Sequence, residues 1–119
     1  YAKLRVQFGR PIGSFQVIKH KCARMSMSVQ ASTAATYYAG MAVAADTPDA
    51  REAAQVAKAY SSEAVCAISG EALQLHGGVG FTWEHDLHLF LRRARGNAVL
   101  FGAPYVHYES LFRDLEARV

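Results

Sequence analysis

Charge is scarce in this 119-residue chain: Asp, Glu, Lys and Arg together make up 19% of it, against 51% hydrophobic residues carried heavily by alanine. The net charge of +3 is too small to argue for nucleic acid, and the cations are spread from Lys3 to Arg118. Only Arg92, Arg93 and Arg95 cluster, in the manner of a solvated helix face. Long apolar runs are also missing. Thr, Gly, Asp or Lys interrupts every alanine-rich stretch well short of the roughly 18 residues that suggest a membrane span. Cysteine is limited to Cys22 and Cys66, with no CxxC pair, and no signal peptide is expected. Both are expected to be small buried hydrophobes in a reducing cytoplasm. Alternation at strand period is absent over any useful length, which leaves helices as the material of the fold.

The residues that are present have helical period. Gly9, Pro11 and Gly13 make residues 5 to 14 a breaker-rich link, and Ser14 is a good N-cap for a helix beginning at Phe15. Phe15, Ile18, Cys22, Met25 and Val29 recur at spacings of three and four, continued by Ser32, Thr36, Ala39 and Val43. This predicts one helix of about 30 residues, roughly 45 Å long. Thr47, Pro48 and Asp49 read as N-cap, first helical position and an acid at the positive end of the next helix. That helix is expected to bury Ala53, Val56, Ala57, Tyr60, Ala64, Ala67, Ile68 and Leu75. Gly70 costs about 1 kcal/mol relative to Ala inside it, and close helix approach is the expected reason for keeping it. The short link makes the two helices antiparallel neighbours. Gly77, Gly78 and Gly80 end the second. A shorter helix is expected from about Glu84 or Asp86 to Arg95, with Leu87, Phe90, Leu91 and Ala94 facing in, and Gly96-Asn97 breaks it. Pro104 opens a last helix with Val106, Leu111, Phe112 and Leu115 on its apolar side. The expected fold is all-α, one domain over 1–119, an up-down bundle of two long and two shorter helices with no internal repeat. The chain starts at Tyr1 without Met, and it is expected to be a piece of a longer protein.

Several chemistries fit the residues poorly. A glycine-rich turn before a helix can bring backbone N–H groups to a phosphate. The dinucleotide fingerprint, however, requires a strand before those glycines, and here a helix precedes them. Gln74, one turn earlier, can donate and accept hydrogen bonds, although an exposed helix residue would look the same. Glu84, His85 and His88 could share a face, but HExxH is absent and spacing supplies no third ligand, so no metal site is expected. No serine sits in a nucleophile elbow.

Two motifs in order carry more. Arg5-Val-Gln-Phe-Gly-Arg-Pro-Ile-Gly-Ser-Phe-Gln resembles the RxxFGxPIxxFQ segment of flavin-dependent acyl-CoA dehydrogenases. Gln74-Leu-His-Gly-Gly-Val-Gly-Phe resembles their QxxGGxGF segment, and Leu91-Arg-Arg-Ala-Arg their following basic helix. The resemblance covers nearly all 119 residues and is to the C-terminal helical domain of a three-domain fold, without its first helix. The Gly-Phe-Thr-Trp-Glu-His-Asp-Leu-His stretch looks like actinobacterial members that act on bulky or sterol-derived acyl-CoA esters.

The resemblance implies FAD as cofactor, an acyl-CoA as substrate, a homo- or hetero-tetramer, and an electron-accepting flavoprotein as a further partner. It implies that Arg5 reaches the FAD pyrophosphate of a neighbouring subunit, a task for which the guanidinium fork is suited. Gln7 and Phe8 would lie beside it, and Gln74, Gly77 and Gly78 would meet the adenosine diphosphate part. Ile12, Phe15 and Gln16 would lie near the FAD of the chain's own subunit, with core packing an even alternative for Phe8, Ile12 and Phe15. The family reaction removes an α-proton with a carboxylate while the flavin takes the β-hydride. Counting along the family spacing from Gln74 puts Phe101 where many members have that glutamate, and Phe101 cannot accept a proton. Ala103 stands where the family has Thr, and Glu109 is too far along the last helix to substitute. The base is therefore expected on an upstream helix or on another subunit. A catalytic domain, a base-lacking partner subunit and a non-catalytic helical interaction domain all remain open.

Overall fold

The computed structural model describes residues 1–118 and is a rod of 58 × 27 × 26 Å. Four helices build it: α1 (Gln16–Ala44), α2 (Ala50–His76), α3 (Leu87–Val99) and α4 (Pro104–Glu116). Among the described residues the sole sheet is a two-residue antiparallel ladder, β1 (Val6–Gln7) with β2 (Arg10–Pro11). That ladder sits in the stretch expected to be a structureless link. Phe8 and Gly9 form its two-residue turn with φ of +53° and +76°, the sign a tight hairpin needs at both central positions.

The ladder is fastened at its base. Ile12 donates its N–H to the Arg5 carbonyl and Gly13 to the Ala2 carbonyl, each at 2.8 Å. A Cβ on Gly13 would lie 2.8 Å from that Ala2 oxygen, so only glycine allows this contact. A 3-10 turn over Ile12–Ser14 then leads into α1. This displaces the expected cap: Phe15 is the N-cap residue, no side chain caps the helix, and the Ser14 hydroxyl is buried without a partner. The Phe15 carbonyl serves the N–H groups of Ile18 and Lys19 instead.

At its other end α1 closes with Asp46 at φ +50°, Thr47 donating to the Ala42 carbonyl and Asp46 to that of Val43. These are the paired bonds of a Schellman stop. Thr47 therefore ends α1 and does not start α2, whose N-cap residue is Asp49, again without a side-chain cap. The Asp49 carboxylate instead accepts a hydrogen bond from the Tyr38 hydroxyl. That bond first, and the Thr47 hydroxyl second, hold the carboxyl below its ordinary range.

Helix α2 is the hub, touching α1, α3 and α4. Neighbours on several sides bury Ala57, Ala59, Ser62, Ala64, Ser69 and Leu73, whereas Val56, Tyr60 and Ala67 of the expected face are exposed. Ala59 has no accessible surface at all. In α1 the covered stripe after Met25 keeps the expected Ser32 and Ala39 but takes Ser28, Ala35 and Ala42 in place of Val29, Thr36 and Val43, which are exposed. Small side chains make the contact, and Lys21 pairs with Glu71 at 2.6 Å across it. Gly70 is not explained by a neighbour within the chain: a Cβ there would meet nothing within 4 Å.

The short helices depart from expectation in the same manner. Helix α3 runs through Gly96 and Asn97 to Val99, and the stop comes at Phe101 and Gly102, with φ of +58° and +100°. Lys58 of α2 donates to the Asn97 and Ala98 carbonyls at 3.2 and 3.1 Å, a cation at the negative end of the helix dipole. Phe90 is exposed on α3, as are Val106, Phe112 and Leu115 on α4. Gln55 donates to the Ser110 hydroxyl at 2.8 Å and Tyr108 to the Glu63 carboxylate at 2.8 Å, tying α4 to α2 through polar contacts.

Candidate functional site

The hairpin end of the rod holds a cleft of about 610 Å³. Its walls come from Arg5, Gln7 and Phe8 of the hairpin, Ile12 and Phe15 of the following turn, and Gln74, Gly77 and Gly78 at the end of α2. Residues about sixty positions apart in sequence thus form one surface because α1 and α2 run antiparallel. Gln16 does not line it; its amide lies 3.4 Å from the His20 imidazole. Tyr1, Val17, Ile18, Leu75, His76 and Val79 complete the walls and were not among the expected site residues.

Two polar side chains of this cleft, Arg5 and Gln74, are unspent. None of the ion pairs among the described residues uses Arg5, while Arg10 is occupied over the Phe15 ring, 4.1 Å from its centroid. Gln74 is exposed, and its amide makes no hydrogen bond among the described residues. A Cβ on Gly77 or Gly78 would meet nothing within 4 Å, so a ligand can come against bare backbone there. Gly77 has φ +60° and ψ −144°, a conformation essentially reserved for glycine, and it turns the chain off α2 into a 3-10 turn over Gly77–Phe81. Ile12 and Phe15 are buried and half-buried in the apolar part of the cleft. Phe8 is 90% exposed, so core packing does not account for it. A phenylalanine at positive φ on a hairpin tip costs on the order of 1–3 kcal/mol.

His76 is the other polar group that sequence reasoning passed over. Its Nδ1 lies 2.7 Å from the Ala72 carbonyl, its ring is stacked on Tyr1 at 4.1 Å, and His85 meets it edge-on at 4.8 Å. The Tyr1 hydroxyl in turn donates to the His76 carbonyl at 3.4 Å. This stack joins the segment leading to Arg5 with the glycine turn. The position of His76 between Gln74 and Gly77 was visible in the motif; its partner Tyr1 was not.

A second groove, of about 750 Å³, lies between α1, α2 and the end of α3 and is lined by residues including Val29, Thr36, Tyr37, Lys58, Val65 and Phe101. Its threonine hydroxyls bond their own helix, Thr33 donating to the Val29 carbonyl and Thr36 to that of Ser32, whereas the Ser32 and Ser61 hydroxyls are buried without a partner. Phe101 projects at the rim, 93% exposed. No carboxylate lines either cavity. Glu109 is exposed on α4 and paired with Arg113 at 3.4 Å. The His88 imidazole lies 2.8 Å from the His85 carbonyl and packs edge-on to Trp83, and among the described residues no group of three or more His, Cys, Asp or Glu gathers as metal ligands. No helix among the described residues is long and apolar enough to cross a membrane.

Comparison with known proteins matches residues 1–115 to the family model described as acyl-CoA dehydrogenase, C-terminal domain. Acyl-CoA dehydrogenase IpdE2 of Mycolicibacterium smegmatis is 46% identical over 119 residues, which is 100% of this chain and 35% of that protein. Among solved structures, butyryl-CoA dehydrogenase from Megasphaera elsdenii superposes with a TM-score of 0.91 at 30% identity, covering 97% of this chain and 30% of that one. An FAD complex of PigA superposes at 0.92 with 26% identity, covering 100% of this chain and 31% of its own. The chain spans about a third of the length of the curated relatives it matches.

Proposed function

The chain belongs to the acyl-CoA dehydrogenase family as its C-terminal domain, and on that premise we propose that it serves in an enzyme that desaturates an acyl-CoA thioester at its α,β-bond with FAD. In this reading residues 1–119 act as a single FAD-contacting and oligomerising domain. The observation that carries it is the meeting of Arg5, Gln7, Phe8, Gln74, Gly77 and Gly78 in one cleft, with the Arg5, Gln7 and Gln74 side chains unpaired among the described residues and no side chain over the two glycines.

These residues fit the group. Arg5 offers a fork of donors to phosphate oxygens. Gln74 can meet a ribose or an adenine edge, and the bare glycine backbone lets a pyrophosphate approach. Ile12 and Phe15 supply apolar surface, and Gln16, outside the cleft, is assigned to the cofactor of the chain's own subunit. FAD supplies the hydride acceptor when bound. What this chain contributes is retention and placement.

Proton abstraction requires a carboxylate, and Phe101 with the carboxylate-free groove leaves that task to a group outside the described residues. That favours one second reading, a base-lacking subunit that works beside a catalytic chain in a mixed tetramer. The unpaired cysteines agree with a reducing cytoplasm, and reduced flavin would be reoxidised by an electron-accepting flavoprotein. The test is purification of the full-length protein, alone and co-expressed with its genomic neighbours. Yellow protein that reduces an electron acceptor with an acyl-CoA is expected, from the single chain under the first reading and only from the mixture under the second. Colourless protein that takes up no added FAD in either preparation would overturn both.

A further inference from the structure

We infer that His76 is a further ligand contact of the hairpin-end cleft, donating from its Nε2 to a phosphate oxygen of the bound nucleotide. This rests on the reading that the cleft holds the pyrophosphate part of FAD. The imidazole lines the cleft beside Gln74 and Gly77. Its two nitrogens are not equivalent. Nδ1 is held at 2.7 Å from the Ala72 carbonyl, which can only accept, so Nδ1 carries a proton and the neutral ring leaves Nε2 bare.

Nothing among the described residues bonds Nε2. The ring cannot turn to hide it, because Tyr1 covers one face and His85 abuts it edge-on. A bare Nε2 facing an anion would be repulsive; a protonated one is a charge-assisted donor. No carboxylate lines the cleft to compete for a ring N–H, so an anion set against Nε2 is the acceptor it would meet. The ionisable groups that meet the ring or share its cleft are Tyr1, His85 and Arg5. Arg5 opposes a second cation until an anion lies between them.

Nucleotide binding is therefore coupled to proton uptake at His76. Because the bound state holds the extra proton, affinity is highest at low pH and falls as pH rises through the imidazole range. FAD and ADP binding to the full-length protein, measured by flavin fluorescence quenching and calorimetry between about pH 6 and 8.5, is expected to weaken about three- to tenfold across that range. His76→Gln is expected to flatten the profile for both ligands, whereas Arg5→Ala weakens binding at every pH and keeps the slope. A slope in His76→Gln equal to that of the unaltered protein overturns the inference and leaves the FAD reading standing. Absence of FAD binding by the unaltered protein at any pH removes both. A second measurement is independent of folding in the variant: the imidazole 15N signals of His76 are expected to move to the protonated form on ADP saturation near pH 7.5, and unchanged signals overturn the inference.

Discussion

The two cavities are built from the same pair of helices and differ in what they offer. At the hairpin end, the Arg5 and Gln74 side chains keep their donors free, no side chain covers the Gly77–Gly78 backbone, and the wall is completed by a strained Phe8. Along the groove near Phe101, threonine hydroxyls bond their own helix and the one cation, Lys58, is spent on the carbonyls of Asn97 and Ala98. One cavity is equipped to hold an anion. The other is equipped to be filled by apolar surface. A surface suited to an anion and a groove without carboxylates are thus separated in space.

The sharpest way to break that division is Arg5→Ala in the full-length protein. Loss of a charge-assisted phosphate contact is expected to weaken FAD binding about 10- to 100-fold while the thermal midpoint stays within a few degrees. Equal affinity would mean that the cleft does not hold the phosphates. Next in size is Gly13→Ala, whose Cβ would sit 2.8 Å from the Ala2 carbonyl oxygen. It is expected to cost about 1–3 kcal/mol in denaturant unfolding and to reduce flavin retention with it, by releasing the segment that carries Arg5.

Lys58→Met probes the opposite cavity. Three donated bonds to Ser62, Asn97 and Ala98 disappear, so stability is expected to fall by about 1.5–3 kcal/mol with FAD affinity within about twofold. A large loss of flavin would show the two cavities to be coupled. The smallest effect belongs to Tyr38→Phe. The Tyr38 hydroxyl lowers the Asp49 pKa, so this pair contributes stability above the ordinary carboxylate range that is lost as pH falls through the lowered value. The variant is expected to return Asp49 to its ordinary titration by NMR, with little change in midpoint because the pair is exposed.

Much of the fold was legible because helical period, breakers and order survive without tertiary knowledge. The antiparallel α1–α2 pair and the all-α class are written in the run from Phe15 to Val43, the Thr47–Asp49 break and the glycines at 77, 78 and 80. The faces were less legible, for a physical reason. Alanine and serine form the contacts, and a pattern written in small residues barely distinguishes Ser28 from Val29, or Ala35 from Thr36, as the side that packs. In α2 the expectation of a single buried face failed because three helices surround it. Gly96 was read as a stop, yet Lys58, remote in sequence, sustains α3 for another turn. The paired motifs located the cleft, since both are local strings. Tyr1 and His76 needed the fold, since only the return of α2 brings position 76 under position 1.

The rod shape has a thermodynamic consequence. Its radius of gyration is 17.8 Å, whereas a compact chain of this length measures about 13–14 Å. Unfolding such a body uncovers less surface per residue than unfolding a sphere does, so denaturant dependence and heat-capacity change are both expected to be shallow for the domain by itself. Association that covers Tyr37, Met41, Phe90 and Phe112 would steepen both without altering a single bond inside the chain. Cooperativity of melting is then a property of the assembly, and the breadth of the transition reports how much of the domain's outer surface has found a partner.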